Sequence, residues 1–245
     1  SLAGGSDAAL FEIDANSGVL SFKLAPNFEA PADAGGNNVY NLTVQVSDGT
    51  LSSTQAIAIS VTAVNDNTPA ITSSATASVA ENTTAVLTVT ASDADQPAQS
   101  LSYSLAGGSD AALFEIDANS GVLSFKLAPN FEAPADAGGN NVYNLTVQVS
   151  DGTLSSTQAI AISVTAVNDN TPTITSSATA SIAENTTAVL TVTASDADRP
   201  AESLTYSLAG GADAALFAID ASTGVLSFLT APDYEAPLDA NGDNI

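Results

Sequence analysis

The chain has 245 residues and carries 27 Asp and Glu against three Lys and Arg, a formal net charge of −24. Cys, His, Met and Trp are absent, which excludes disulfides, thiolate and imidazole metal ligands, and the usual general base near neutral pH. So negative a chain repels nucleic acid, while its 44% hydrophobic composition argues for packed domains over an acidic disordered tail. No run of about 18 apolar residues occurs, so no membrane insertion is expected. No leader peptide pattern opens the chain, and with no initiator methionine it reads as a piece of something longer.

Residues 1–67 recur unchanged at 104–170, and 171–245 repeat 68–142 with 17 substitutions, so the period is 103 residues throughout. That is the size of an independent domain and too long for a solenoid unit of about 20–50 residues. With Ala-Val-Asn-Asp-Asn-Thr-Pro (63–69 and 166–172) as the boundary, 68–170 is one complete unit. Residues 1–67 are the C-terminal part of a preceding unit, and 171–245 the N-terminal part of a following one.

Along the complete unit the apolar period is two. A first strand is expected near 70–79, interrupted around Ser74. Leu87 and Val89 mark a second, Leu101, Tyr103 and Leu105 a third, and Phe114 and Ile116 a fourth. Leu123 and Phe125 mark a fifth, Tyr143 to Val149 a sixth, and Ile160 to Val164 a seventh. Gly107-Gly108, Asn119-Ser120-Gly121, Gly138-Gly139-Asn140 and Asp151-Gly152 supply the turns between them. Seven short strands in about 100 residues predict an all-β fold, a Greek-key β-sandwich of immunoglobulin-like type. Tyr103 and Tyr143 fall on inward faces and are expected in the core.

The acids fall at strand ends. Glu81 follows the first strand, Asp93 and Asp95 end the second, Glu132 follows the fifth, and Asp151 ends the sixth. With strands alternating in direction, Asp93, Asp95 and Asp151 share the pole of the incoming linker, and Glu81 and Glu132 that of the outgoing one. The first junction then gathers Glu29, Asn65, Asp66, Asn67, Asp93, Asp95 and Asp151. The second gathers Glu81, Glu132, Asn168, Asp169, Asn170, Asp196 and Asp198. Converging carboxylates without nearby Lys or Arg repel one another, and a hard cation with oxygen ligands relieves that. Ca²⁺ accepts 6–8 oxygens in flexible geometry, whereas Mg²⁺ prefers a small octahedral shell and its own waters.

These motifs resemble the cadherin repeat: Ala-Glu-Asn (80–82), Ser-Asp-Ala-Asp (92–95), Leu-Ser-Tyr-Ser-Leu (101–105), Phe-Glu-Ile-Asp…Ser-Gly-Val-Leu (114–123), Asn-Phe-Glu (130–132), Val-Ser-Asp-Gly (149–152) and Val-Asn-Asp-Asn-Thr-Pro (167–172). The Ala/Thr/Ser-rich, cysteine-free composition resembles the cadherin-like arrays of large bacterial surface adhesins. The resemblance implies calcium ions that stiffen each linker. It makes Glu81 and Glu132 bridging carboxylates, Asn168 and Asp169 side-chain ligands, and Asn170 a carbonyl ligand, with Asp196 and Asp198 from the following repeat. Asp48, Glu184, Asp233 and Glu235 are the corresponding positions in the part-repeats.

Two departures stand out. The family's acid two positions before Asn-Asp-Asn is Ala63 or Ala166 here, and its Asp-x-Glu is Asn27-Phe28-Glu29 and Asn130-Phe131-Glu132, restored only at Asp233-Tyr234-Glu235. The ion held by Asn65, Asp93, Asp95 and Asp151 is therefore expected to be the best preserved, and the others weaker or absent. Asp239-Ala240-Asn241-Gly242-Asp243-Asn244 spaces acids like the start of an EF-hand loop, but its copy Asp136-Ala137-Gly138-Gly139-Asn140-Asn141 reads as a solvated turn.

The functional expectation is a non-catalytic, calcium-rigidified spacer of a large extracellular adhesin or fibre, whose partners are the neighbouring repeats. The rival is self-association, either homophilic or into a filament. A carbohydrate-binding or glycosidase module ranks below both. Glycoside hydrolysis needs one carboxylate pair at about 5–10 Å, whereas here every acid is repeated.

Overall fold

The computed structural model describes residues 1–242; Asp243, and with it the end of the acidic loop begun at Asp239, lies outside the described residues. The first part-repeat holds β1 (Leu2–Gly4), β2 (Phe11–Ile13), β3 (Leu20–Phe22), β4 (Val39–Ser47) and β5 (Ser52–Ser60). The middle stretch holds β6 (Ala70–Ile71), β7 (Thr76–Ala80), β8 (Ala85–Thr88), β9 (Ala91–Ser92), β10 (Ser102–Gly107), β11 (Phe114–Ile116), β12 (Val122–Phe125), β13 (Val142–Ser150) and β14 (Ser155–Thr165). The last holds β15 (Thr173–Ile174), β16 (Ala188–Thr191), β17 (Ala194–Ser195), β18 (Phe217–Ile219) and β19 (Val225–Phe228). The helices among the described residues are single 3₁₀ turns at Ala8–Leu10, Ala111–Leu113 and Ala214–Leu216.

β6–β14 build a two-layer sandwich. One sheet runs β10-β13-β14-β7, and the other runs β11-β12-β8, with β9 following β8 and pairing with β6. The expected first strand is thus split between the sheets. Ser74 makes the break: its hydroxyl accepts the Thr76 N–H at 3.1 Å and donates to the Thr76 carbonyl at 2.8 Å, a serine turn that competes with the ladder. Beyond it, β7 pairs parallel to β14, Thr76 opposite Ala161 and Ala80 opposite Thr165.

Inward residues of both sheets meet in one core containing Val89, Phe114, Leu123, Phe125, Tyr143, Leu145, Val147, Val149, Ile160 and Ile162. Each such side chain contributes about 1.5–3 kcal/mol over its exposed state. Phe125 sits edge-on to Tyr143 with centroids 5.1 Å apart, and the Tyr143 hydroxyl accepts the Ala135 N–H at 3.2 Å. Tyr143 is fully buried and Tyr103 half-buried against the same core, as the alternation requires. Closure of the sandwich does the burying, not the letters alone. Val149 is 0% exposed between the two sheets of the complete repeat.

At the edge of β10 the register slips between Leu105 and Gly107, and the chain crosses close over β13. A Cβ on Gly108 would lie 2.4 Å from the Leu145 Cα, and its φ is +110°, so only glycine fits there.

Candidate metal centre

Pairing explains why the acids meet. Ala70 lies opposite Ser92, which sets the linker Asn65–Asn67 beside Asp93 and Asp95. The hairpin β13–β14 closes at Ser150 opposite Ser155, so Asp151 arrives at the same pole. The parallel pair β7–β14 ends with Ala80 opposite Thr165, so Glu81 reaches the outgoing linker at the other.

At the first junction, carboxylate oxygens of Asp93, Asp95 and Asp151 lie within 4.8 Å of one another, and so do those of Glu29, Asp66 and Asp95. Asp95 belongs to both groups and is buried, 1% exposed. Asn67 clamps it: its N–H lies 3.2 Å from Oδ1, and its side-chain amide donates to the same oxygen at 2.7 Å. That amide holds the Asp95 carboxyl below the ordinary carboxylate range, against burial. Asp93 uses one oxygen to accept the Asp95 N–H at 2.9 Å. Burial pushes the Asp151 carboxyl up, but the N–H groups of Leu154 and Thr153 outweigh it and leave it lowered.

The remaining oxygens test the fit to a cation. Asn65 Oδ1, Asp93 Oδ2 and Asp151 Oδ2 are all buried with no hydrogen-bond donor, and so is Glu132 Oε2 at the second junction. Buried acceptors are ordinarily satisfied, because an unpaired one costs about 1–3 kcal/mol or more if charged. Lys23 and Lys126 do not relieve them, since each donates to a 3₁₀-turn carbonyl, of Ala9 and Ala112. An anionic cluster of oxygens with several buried acceptors left unpaired suits a hard divalent ion of calcium type.

The second junction repeats the pattern in part, with Asp196 and Asp198 outside every converging group among the described residues. Oxygens of Glu81, Glu132 and Asp169 lie within 4.8 Å of one another. Glu81, 1% exposed, accepts the N–H groups of Phe131 and Val167, both at 2.7 Å. Asn82, in the left-handed region at φ +62°, donates its amide to Asp169. Asn170 clamps Asp198 as Asn67 clamps Asp95, with its amide at 2.8 Å from Oδ1, and Asp196 Oδ1 accepts the Asp198 N–H at 3.0 Å. Main-chain contacts tie the units together: Gln96 N–H to Glu29 at 3.3 Å, and Arg199 N–H to Glu132 at 3.2 Å. Glu184, Asp233 and Glu235 form a further, exposed group at the far end of the third part-repeat.

Some expectations need adjusting. Asp48 stands outside every converging group among the described residues; its carboxylate instead caps the turn at Thr50 and Leu51, at 2.9 and 2.7 Å. Asn67 and Asn170 spend their side-chain amides on neighbouring carboxylates. The loop at Asp136 is a turn as expected, but its carboxylate is not solvated: it is 6% exposed and accepts the N–H groups of Asn140 and Asn141 at 3.0 and 2.9 Å.

Sequence reasoning missed two kinds of residue. Asp110, 3% exposed, accepts N–H groups of Ala137 and Asn144, both at 2.7 Å, and so pins the loop that carries Asp136. Its copy Asp213 accepts the Ala240 N–H at 2.7 Å. Gln99 accepts the Asn65 amide at 2.7 Å, and its copy Glu202 accepts that of Asn168.

The fold and site together define a class: a tandem array of immunoglobulin-like sandwiches with acidic, oxygen-lined junctions. Residues 75–165 match the family model of the cadherin domain. Cadherin-related family member 2 of Mus musculus is 35% identical over 222 residues, 86% of this chain and 17% of its own length. Protocadherin Fat 2 of Mus musculus is 32% identical over 240 residues, 92% of this chain and 5% of its own. The chain therefore spans only a small part of these curated relatives.

The crystal structure of mouse Cadherin-23 EC22-24 shares the fold with a TM-score of 0.68 at 24% identity, over 96% of this chain and 76% of that one. The Protocadherin gammaB7 EC3-6 cis-dimer structure matches at 26% identity with a TM-score of 0.64, over 94% and 58%. The middle repeat belongs to the cadherin domain family, and residues 1–67 and 171–245 carry copies of its sequence.

Proposed function

We propose that this chain is a calcium-rigidified, non-catalytic spacer segment of a large extracellular adhesin, with 68–170 as its complete repeat. The observation that carries this reading is the convergence of Asp93, Asp95 and Asp151 beside the linker, where Asp93 Oδ2, Asp151 Oδ2 and the linker's Asn65 Oδ1 are each buried without a donor. When bound, calcium supplies the positive charge that lets these oxygens remain together. Asp95, Asp66 and Glu29 join them, so one set of ligands spans the first unit, the linker and the second. Asn67 and Gln96 fix the linker and the loop after Asp95 in place for this. A chain whose ligands come from both sides of a hinge loses the hinge when the ligand binds.

The assignment to a bacterial-type surface protein rests on the Ala/Thr/Ser-rich, cysteine-free composition and the near-perfect repetition; the two curated relatives described above are mammalian. Glu29, Asp66, Asp93 and Asp95 recur as Glu132, Asp169, Asp196 and Asp198 at the next junction, a repetition that a single glycosidase centre does not need. Small-angle scattering of the chain in calcium and in EDTA tests the spacer reading. The maximum dimension should be longer and better defined in calcium, and an unchanged profile rejects it.

One observation favours self-association as a second reading. Leu24 and Leu127 occupy the same repeat position and are 84% and 83% exposed, a periodic apolar display of the kind that supports avidity. Sedimentation in calcium separates the readings: the spacer remains monomeric and a filament former does not.

A further inference from the structure

The two described junctions are not equivalent, and the difference lies beside the ligands. Asn65 has one amide with two ends. Its Nδ2 donates to Gln99 Oε1 at 2.7 Å, its Oδ1 is buried without a donor, and the same side chain lies close enough to the Asp151 carboxylate to help hold it lowered. Gln99 is half-buried on the loop that leads from Asp95 into β10. In the next repeat this residue is one of the 17 that change: Glu202 stands there and accepts the Asn168 amide.

We propose that Gln99 and Glu202 are positioning residues that aim the linker asparagine's oxygen at the ion, and that the exchange of Gln for Glu sets different calcium affinities at successive junctions. The inference rests on the calcium reading above. An amide rotates freely about its last bond, so an acceptor that holds its nitrogen also fixes where its oxygen points. Gln99 does this as a neutral acceptor. Glu202 does it with a charge, which makes the hydrogen bond stronger. It also places a further negative charge near the cation, at an interaction energy that depends on distance and salt.

Contacts to the groups that orient a ligand typically change metal affinity about 10–100-fold when removed. Arg199, another of the substitutions, lies three residues before Glu202 and bears the opposite charge. The effect must therefore be tested within each junction, with Arg199 held constant.

The experiment is calorimetric calcium titration of the full chain and three variants, at low and at physiological salt, with thermal melts in EDTA alongside. Gln99→Leu should weaken the first junction's ion about tenfold or more, because the Asn65 amide loses its anchor. Gln99→Glu should tighten it about three- to tenfold at low salt, with the gain shrinking as salt rises. Glu202→Gln should weaken the second junction in the same salt-dependent way.

Melting in EDTA should be the same for Gln99→Glu, Glu202→Gln and the parent chain, which a merely structural role would not predict. If the parent chain binds calcium and Gln99→Glu and Glu202→Gln leave the isotherms unchanged, the positioning proposal falls and the calcium reading stands. If the parent chain binds no calcium, both fall.

Discussion

Glu81 accepts the Val167 N–H at 2.7 Å across 86 residues of sequence, tying the end of β7 to the linker that leaves β14. Its other oxygen accepts the Phe131 N–H at 2.7 Å, so one buried carboxylate holds three segments at the outgoing pole. Glu81 is thus structural before any ion arrives. Glu81→Ala strands two buried donors at about 1–3 kcal/mol each. The expected result is a lower melting temperature in EDTA as well as weaker calcium binding. Glu81→Gln keeps one acceptor oxygen and should fall between. A variant that lost calcium affinity with unchanged melting in EDTA would contradict this division of roles.

Asp151 and Asp48 are the same residue of two repeats, and they make the same turn. Asp151 Oδ1 accepts Thr153 and Leu154, both at 2.7 Å, as Asp48 Oδ1 accepts Thr50 and Leu51. Only Asp151 has a second oxygen buried among other acids. Asp151→Asn should therefore weaken calcium binding about tenfold or more, since a divalent ion loses an anionic ligand. Asp48→Asn carries the same local turn cost and should leave the isotherm unchanged. Calorimetric titration of the two variants side by side checks the claim, and equal effects would refute it.

Asp110 bears on stability alone. It joins β13 to the loop after Ala135 through two main-chain donors, and Ser109 adds its hydroxyl at 2.7 Å. Asp110→Ala should destabilise the complete repeat by about 2–4 kcal/mol, the cost of two stranded donors. Calcium affinity at the first junction, at the opposite pole, should not move. Urea unfolding in EDTA together with a calcium titration distinguishes this from a ligand role.

How much of this was legible in the sequence depends on the length over which the pattern acts. The period of two and the turn residues are local, so the strands, the sandwich and the buried Tyr143 followed from them. Strand ends then placed Asp93, Asp95 and Asp151 at one pole, because alternation in direction is nearly topology-free. The split of the first strand at Ser74 was visible as a gap, but its consequence, a parallel β7–β14 pair, was not.

Single residues whose partners lie far along the chain left no trace. Gln99 meets Asn65 across 34 residues, and Asp110 meets Asn144 across 34, with no periodicity to betray either. The loss of the family acid at Ala63 suggested weak upper ligand sets, yet Glu29, Asp66 and Asp95 still converge. Convergence comes from the sheet ends, which one missing linker side chain does not move.

Asp117 closes the turn before Gly121 and gives the chain an acid-sensitive stability term away from the junctions. Its Oδ1 accepts the N–H groups of Ser120 and Asn119 and the Ser120 hydroxyl, at 2.8, 3.0 and 2.9 Å. The Ser120 N–H is the largest influence holding its carboxyl below the ordinary 3.8, and in the copy Asp220 the Thr223 N–H and its neighbours bring the value down to about 2. A folded-state value below the unfolded one means the folded protein favours the charged form. Its contribution is then complete above about pH 4 and is lost progressively as pH falls below that. Asp117→Ala should be less stable than the parent by a constant margin at pH 5–7, and the margin should shrink as pH falls below about 4. Urea midpoints in EDTA at pH 6, 4 and 2.5 measure it. A margin that persisted at the lowest pH would assign the effect to the shape of the turn and not to the charge.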